Sequence, residues 1–384
     1  MTQFLDKAGL TTLWQKVKTE VATASGAADE EDLTKNSDNK LTLKDRGTED
    51  GRGYVILRKT KSFSEQVTNA NTIYEVRYNF DLNGETVTLP EKSVLRFNGG
   101  SLKNGIIDAN GAFFEQLSNG KVFEDTLTFS SFGCNKVTPD YFGAVGDGTT
   151  DDTSAFRLAL KCATTTAVPL EIPVGKIYYI TDSVNYWDDE QQDVTVNIIG
   201  HHPKKLGSYT PTNMGGIKVA SSTSLFSSKT IKGEIANVCI VGVRDADTYV
   251  FDTCELYISV TNSCIANFGA FLVNSALHGV SEIAFNTLLS CWYFSKVTGK
   301  LYGITDTTIH DNYINGGTEC NDNACFQFAS YNGSIIYNNF IDYYRTIYEP
   351  TAGSVITSGH INSCNNHYQV FRYFYRKTSN IQGF

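Results

Sequence analysis

Asp322, Glu349 and Arg376 follow one another at intervals of 27 residues, with Glu319 close to the first. Two carboxylates that flank a glycosidic bond cleave it as nucleophile and acid at about 5 Å, or as base and acid at about 6.5–9.5 Å. Neighbouring strands stand about 4.8 Å apart, so acids in register on a stacked β-coil meet the shorter distance one coil apart and the longer one two coils apart. The interval of 27 has an independent source. Asn312, Asn339 and Asn366 recur with it, and TIHDNYI (308–314) aligns without a gap on IIYNNFI (335–341). Other acids fail the same arithmetic: Asp311 is followed at that interval by Asn338 and Asn365, and Asp342 stands between Asn315 and Gln369. Asp322, Glu349 and Glu319 are therefore the catalytic candidates, although the text around them, TECNDNA and YEPTAG, reads as loops.

Rings crowd the same third of the chain. Tyr313, Tyr337, Tyr343, Tyr344 and Tyr348, together with Arg376, are candidates for contact with a glycan or a neighbouring subunit, because flat amphipathic side chains stack on sugars and anchor interfaces. Alternation along strands turns about half of such residues inward. His310, His360 and His367 read as packed or surface residues, and no metal or cofactor is expected. The 9 cysteines contain no C-x-x-C pair, a pattern of buried thiols rather than of a zinc site or a disulfide framework.

The elements that must carry these residues are short strands. The chain has 21 Tyr and 23 Phe beside only 2 Met, a bias that suits half-buried pleated surfaces and argues against helical bundles. From residue 54 onward, apolar pieces such as IYEV (73–76), ETVTL (85–89), SVLRF (93–97) and GIID (105–108) are separated by Asn83-Gly84, Asn98-Gly99-Gly100, Asn104-Gly105 and Asn110-Gly111. Asn-Gly pairs permit the positive φ angles of tight turns. Short strands under a fixed period indicate a solenoid whose coils bury their inward faces against one another, with Asn and aromatic ladders up its sides. Asn267 to Asn286 is 19 and Ile336 to Ile361 is 25, so coil length varies. One helical stretch at 151–163 places Phe156, Leu160 and Ala163 on one face and suits the covering of an open solenoid end, with Asp151 or Asp152 as its cap. At the front, Leu10, Trp14, Val17 and Val21 form the seam of an amphipathic helix too short to stand alone. The expected organisation is an attachment or trimerisation helix at 1–25, a linker at 26–53, a β-rich module at 54–136 and a parallel β-helix at 137–384.

Charge narrows the partners. Lys plus Arg is 32 against 41 Asp plus Glu, and no basic block is present, so neither nucleic acid nor an anionic membrane is an expected partner. The opening MTQFLDKAGLTTLWQKV lacks a signal-peptide pattern, so export by that route is not expected.

The stretch VTPDYFGAVGDGTTDDTSAFRLAL (137–160) resembles the motif at the start of the right-handed parallel β-helix in the pectate-lyase-like superfamily, a group rich in phage tail spikes. Its aromatic-Gly-Ala-x-Gly-Asp-Gly-x-x-Asp-Asp-Thr core includes Gly143, Gly146, Asp147, Gly148, Asp151 and Asp152. The resemblance implies a structural turn and helix cap for these residues. Segments 71–105 and 4–18 look like the front ends of tail proteins from phages of Bacteroides-type gut bacteria. The resemblance further implies a homotrimer in the virion tail, assembled in the host cytoplasm. Its N-terminus would meet other phage tail proteins, and its shaft or groove would contact host cell-surface polysaccharide. The sequence departs from polygalacturonase-type members, since Gly359-His360 is not followed by a second glycine and no Arg-Ile-Lys comes after it. No separate C-terminal module is read in FRYFYRKTSNIQGF (371–384). Three roles remain: an adhesive tail spike or fibre, a glycan depolymerase (hydrolase or lyase), or a structural tail adaptor.

Overall fold

The computed structural model describes residues 33–35, 41–43, 48–49, 51–186, 193–201, 211–227, 229–298, 303–317, 323–328, 330–342, 344, 346–348, 355–361 and 367–369. The expected helix carrying Leu10, Trp14, Val17 and Val21 lies outside them. The chain divides into two compact units, residues 1–135 with 141–143, and residues 136–140 with 144–384.

The first unit is a short stack of parallel strands. Phe113–Gln116, Val94–Phe97, Thr72–Val76 and Arg52–Ile56 form one sheet in that order, while Thr86–Thr88, Gly105–Asp108 and Leu127–Ser131 form another. Corners fall where the Asn-Gly text places them: Asn83, Gly84, Asn104, Asn110 and Gly111 all have positive φ. Inside, Phe123 meets Phe97 at 5.3 Å, Phe114 at 5.3 Å and Phe129 at 4.9 Å, all edge to face. Within the stretch expected as linker, Leu33–Lys35 pairs antiparallel with Leu41–Leu43, and Thr48 and Glu49 pair with Gly53 and Arg52. Alternating Leu-Thr-Lys and Leu-Thr-Leu text supports that pairing despite its polar surroundings.

This unit buries one carboxylate on purpose-built partners. Glu75 is 2% exposed and accepts from Arg77 Nε at 2.7 Å, from Asn98 Nδ2 at 2.8 Å and from the Tyr54 hydroxyl. Burial alone would raise its pKa, but these donors outweigh burial and hold the carboxyl below its usual 4.5. A depressed folded pKa adds stability above the unfolded value and loses it as pH falls through the folded one. Glu75→Gln in the full chain is therefore expected to cost about 3 kcal/mol at pH 7, because it removes the buried charge that Arg77, Asn98 and Tyr54 are arranged around. In parallel denaturant melts this difference shrinks below pH 4.5; a difference independent of pH between 7 and about 3 would show the network carries no charge linkage.

The second unit is an all-β parallel β-helix with three sheets. The first sheet runs Asp147–Asp151, Ile177–Ile180, Gly216–Val219, Cys239–Val241, Cys264–Ala266, Thr287–Leu289, Tyr313–Asn315, Phe340–Asp342 and His367–Gln369. The second contains Asp193–Ile199, Thr230–Ala236, Glu255–Thr261, Glu282–Ala284, Thr308–His310, Ser330–Tyr337 and Val355–Ile361. The third stacks Ser224–Ser227, Tyr249–Asp252, Ala270–Val273, Tyr293–Lys296, Ala324–Phe326 and Thr346–Tyr348. Behind the third sheet Phe226, Phe251, Phe271, Phe294 and Phe326 form a continuous buried ladder with centroids 4.8–5.6 Å apart. Much of the aromatic excess is thus core. The helix Thr153–Thr166 packs Phe156, Leu160 and Ala163 onto Leu170–Glu171, Ile177–Ile180 and Asp193–Ile199 at the start of the unit. Cys162, Cys239, Cys254, Cys264, Cys291 and Cys325 are buried thiols.

A polar ladder also runs through the interior. Asn286 N and Nδ2 donate to Asn312 Oδ1 at 2.9 and 3.1 Å, and Asn312 N and Nδ2 donate to Asn339 Oδ1 at 3.1 and 2.9 Å. Below them Ser263 N donates to Asn286 Oδ1 at 3.0 Å. The 27-residue interval from Asn312 to Asn339 is real register, but the coil before it is 26 long, and its ladder member is Asn286 rather than Asn267. Asn267 has φ 62 and follows a first-sheet strand, a different corner from Asn286.

Candidate functional site

The Gly-Asp-Gly motif is a folded turn. Asp147 Oδ1 accepts from Thr149 N at 2.8 Å and Thr150 N at 2.7 Å, and these donors hold its carboxyl far below the usual range. Gly146 sits at φ 68, where a Cβ would come within 2.7 Å of Lys176 Cδ. Asp152 occupies the helix N-cap position, yet its carboxylate turns back to Val145 N at 2.7 Å and Gly146 N at 3.1 Å. Burial pushes its carboxyl above the usual range, against those two donors. Asp151 supplies the bond to the helix, accepting from Thr153 N at 3.0 Å. Gly143, at φ 93, precedes this turn.

The sequence candidates scatter. Asp322, Glu319, Glu349, Tyr343 and Arg376 lie outside the described residues. The strands flanking the proposed acid pair keep a different interval, since Ala324 pairs with Thr346 and Phe326 with Tyr348, each 22 apart. Of Tyr348 the backbone alone is described. Tyr344 is 4% exposed and donates to Cys291 O at 2.6 Å, so it faces the core rather than a ligand. Tyr313 stands 39% exposed with its ring stacked on Phe340 at 5.2 Å. Tyr337 stacks on His310 at 4.8 Å and 8°.

His310 leads to a site that the sequence reading did not assemble. Its Nε2 lies 3.0 Å from Glu282 Oε1 and its Nδ1 lies 2.7 Å from Asp311 Oδ2, with the ring only 10% exposed. Asn338 Nδ2 donates to the other Asp311 oxygen, and Phe285 packs edge-on against the His310 ring at 5.5 Å.

Strand register places these groups on the outer face of the second sheet. Glu234, Ser259, Glu282 and Thr308 form one column, by the pairings Glu234↔Ser259, Ser259↔Glu282 and Glu282↔Thr308. Two positions further along each strand, Ala284, His310 and Tyr337 form a second column. Two positions back stand Lys232 and Tyr257, with His278 stacked on Tyr257 at 5.3 Å and bonded to Glu255. Between Leu277 and Glu282 this coil has one residue more than the corresponding stretch from Ile304 to Thr308, and the surplus bulges outward with Val280 98% exposed.

Along the stacking direction the column Glu234, Ser259, Glu282 and Thr308 is flanked on its first coils by Lys232, Tyr257 and His278 and on its later coils by Phe285, His310 and Tyr337, a staggered trough. Glu234 and Glu282 stand two coils apart in one column, roughly 9–10 Å between backbones. Glu282 and Glu255 are 44% and 47% exposed, and Tyr257 is 45% exposed, so rings and carboxylates are both open to solvent. Such a surface can stack on pyranose faces and accept hydroxyl protons. Among the described residues no group of three His, Cys, Asp or Glu side chains is arranged to hold a metal.

No protein-family model and no curated protein matches the chain. Among solved structures it is similar to WceF of Pantoea stewartii, described as a glycan biofilm modifying enzyme with a bacteriophage tailspike-like parallel beta-helix fold, at 12% identity and a TM-score of 0.31. The likeness covers 57% of this chain and 38% of that one, so the chain spans well under half of WceF. At that extent it decides nothing about function, and the β-helix stands on its own strand register.

Proposed function

We propose that this chain is a subunit of a phage tail spike or fibre that attaches to the virion through its N-terminal segment and binds host surface polysaccharide along the second sheet. One observation carries the glycan reading: the exposed rings of Tyr257 and Phe285 and the half-buried ring of Tyr337 flank the carboxylates of Glu234 and Glu282 on a single face. The motif at 137–160 and its resemblance to phage tail spikes support the virion role and a homotrimer. Retention of the full chain on immobilised surface polysaccharide from candidate host strains is the test. The reading expects retention that Tyr257→Ala weakens about tenfold, roughly 1.4 kcal/mol. Absence of retention on every host polysaccharide, with intact assembly, would leave the structural adaptor instead. Sedimentation of the intact protein tests the trimer, which a monomer would refute.

A second reading has its own support. Acids two coils apart, roughly 9–10 Å between backbones, stand at the upper end of the separation used by inverting glycosidases, which leaves room for a water. In this reading Glu282, whose carboxylate accepts from His310, takes the proton of the attacking water, and Glu234 donates a proton to the leaving oxygen. The glycosidic bond breaks as the water oxygen joins the anomeric carbon. A depolymerase of this kind releases new reducing ends of inverted anomeric configuration.

A further inference from the structure

We propose that Phe285 is the residue by which the trough selects its sugar: a stacking platform for a pyranose with an open apolar face, taken from a neutral or amino-bearing chain. This rests on the glycan reading above and adds the determinant and the class of ligand.

The observation is a backbone conflict. Five successive coils turn from the second sheet to the first through a single residue at positive φ: Asn237 at 58°, Asn262 at 51°, Phe285 at 58°, Asp311 at 53° and Asn338 at 52°. Asn and Asp tolerate the left-handed region because their short polar side chains bond locally. A bulky aromatic there is an outlier. Nothing in packing demands it, since the Phe285 ring is 53% exposed and meets the His310 ring only edge to face. Strain held at an exposed position points to a use for the side chain.

That use is set by the surroundings. The residue three before each corner belongs to the Glu234–Thr308 column, so Phe285 follows Glu282 by three residues, both meet the His310 ring, and Asp311 lies one coil on. A ring next to carboxylates offers one apolar face and several acceptors, which suits a sugar whose axial hydrogens face the ring while its hydroxyls donate sideways. Charge then chooses the class. Glu234, Glu255, Glu282 and Asp311 line the trough, whereas Lys232 is bound to Asp193 at 2.6 Å. Uronate-bearing chains meet repulsion here, and neutral or amino-bearing chains do not.

The test compares wild type, Phe285→Asn and Phe285→Tyr in the full chain, on immobilised dextran, mannan, galactomannan, chitosan and polygalacturonate. Wild type is expected to be retained by a neutral or amino-bearing member and not by polygalacturonate. Phe285→Asn is expected to raise the thermal midpoint by a few degrees while weakening retention at least tenfold, and Phe285→Tyr to keep retention. Unchanged retention in Phe285→Asn, a lowered midpoint, or preference for polygalacturonate overturns the proposal and leaves glycan binding standing. Retention of wild type on none of the five overturns the proposed ligand class, and host polysaccharide then decides the wider reading separately.

Discussion

If the chain is a depolymerase, Glu282→Gln is expected to lower release of reducing ends by about 10²–10⁴-fold, the usual contribution of a positioned acid or base, while polysaccharide retention stays within a few-fold of wild type. The amide keeps the shape and still accepts from His310, but it cannot take a proton from water. Glu234→Gln should show a loss of similar size, and the double variant little more than the worse single one, because two groups acting on one bond form a unit. Reducing-end assays on polysaccharide that the wild type demonstrably retains provide the readout. Cleavage undiminished in both variants would remove the trough from the chemistry, and product of retained configuration would contradict the two-coil spacing.

Asn312→Ala is expected to cost about 3–5 kcal/mol. The side chain makes four bonds: two accepted from Asn286, one donated to Asn339 Oδ1 and one donated to Ile283 O at 2.8 Å. Its removal strands several buried donors and acceptors at once, each costing about 1–3 kcal/mol when left unpaired. The urea midpoint of the full chain at constant slope measures the change. A loss under about 1 kcal/mol would mean that water or a neighbour replaces the ladder.

This ladder is also where sequence and structure agree most closely. Asn312 and Asn339 could be read as stacked because both sit at one corner of adjacent coils, where burial forces side-chain amides to bond one another. The Asn-Gly corners of the first unit were equally legible, since positive φ is a property of residue type. The trough was not. Glu234 and Glu282 are separated by coils of 25 and 23 residues, and an interval of 27 passes over them. A local signal did exist: Glu234, Ser259, Glu282, Thr308 and Ile335 each stand three residues before the corner residue, which is Asn or Asp in four cases. Phe285 broke that series and hid the coil that carries Glu282. Tyr344 shows the complementary limit, because a ring at a loop position carries no alternation to say whether it faces in or out, and its hydroxyl found a buried carbonyl.

Direct observation of a bound sugar tests the central claim best. Crystals of the full chain soaked with oligosaccharide from a polysaccharide it retains should show the chain lying along the Glu234–Ser259–Glu282–Thr308 column, one sugar face over Phe285 and hydroxyls on Glu282. Sugar bound to the first or third sheet, with the trough left to solvent, would contradict the account.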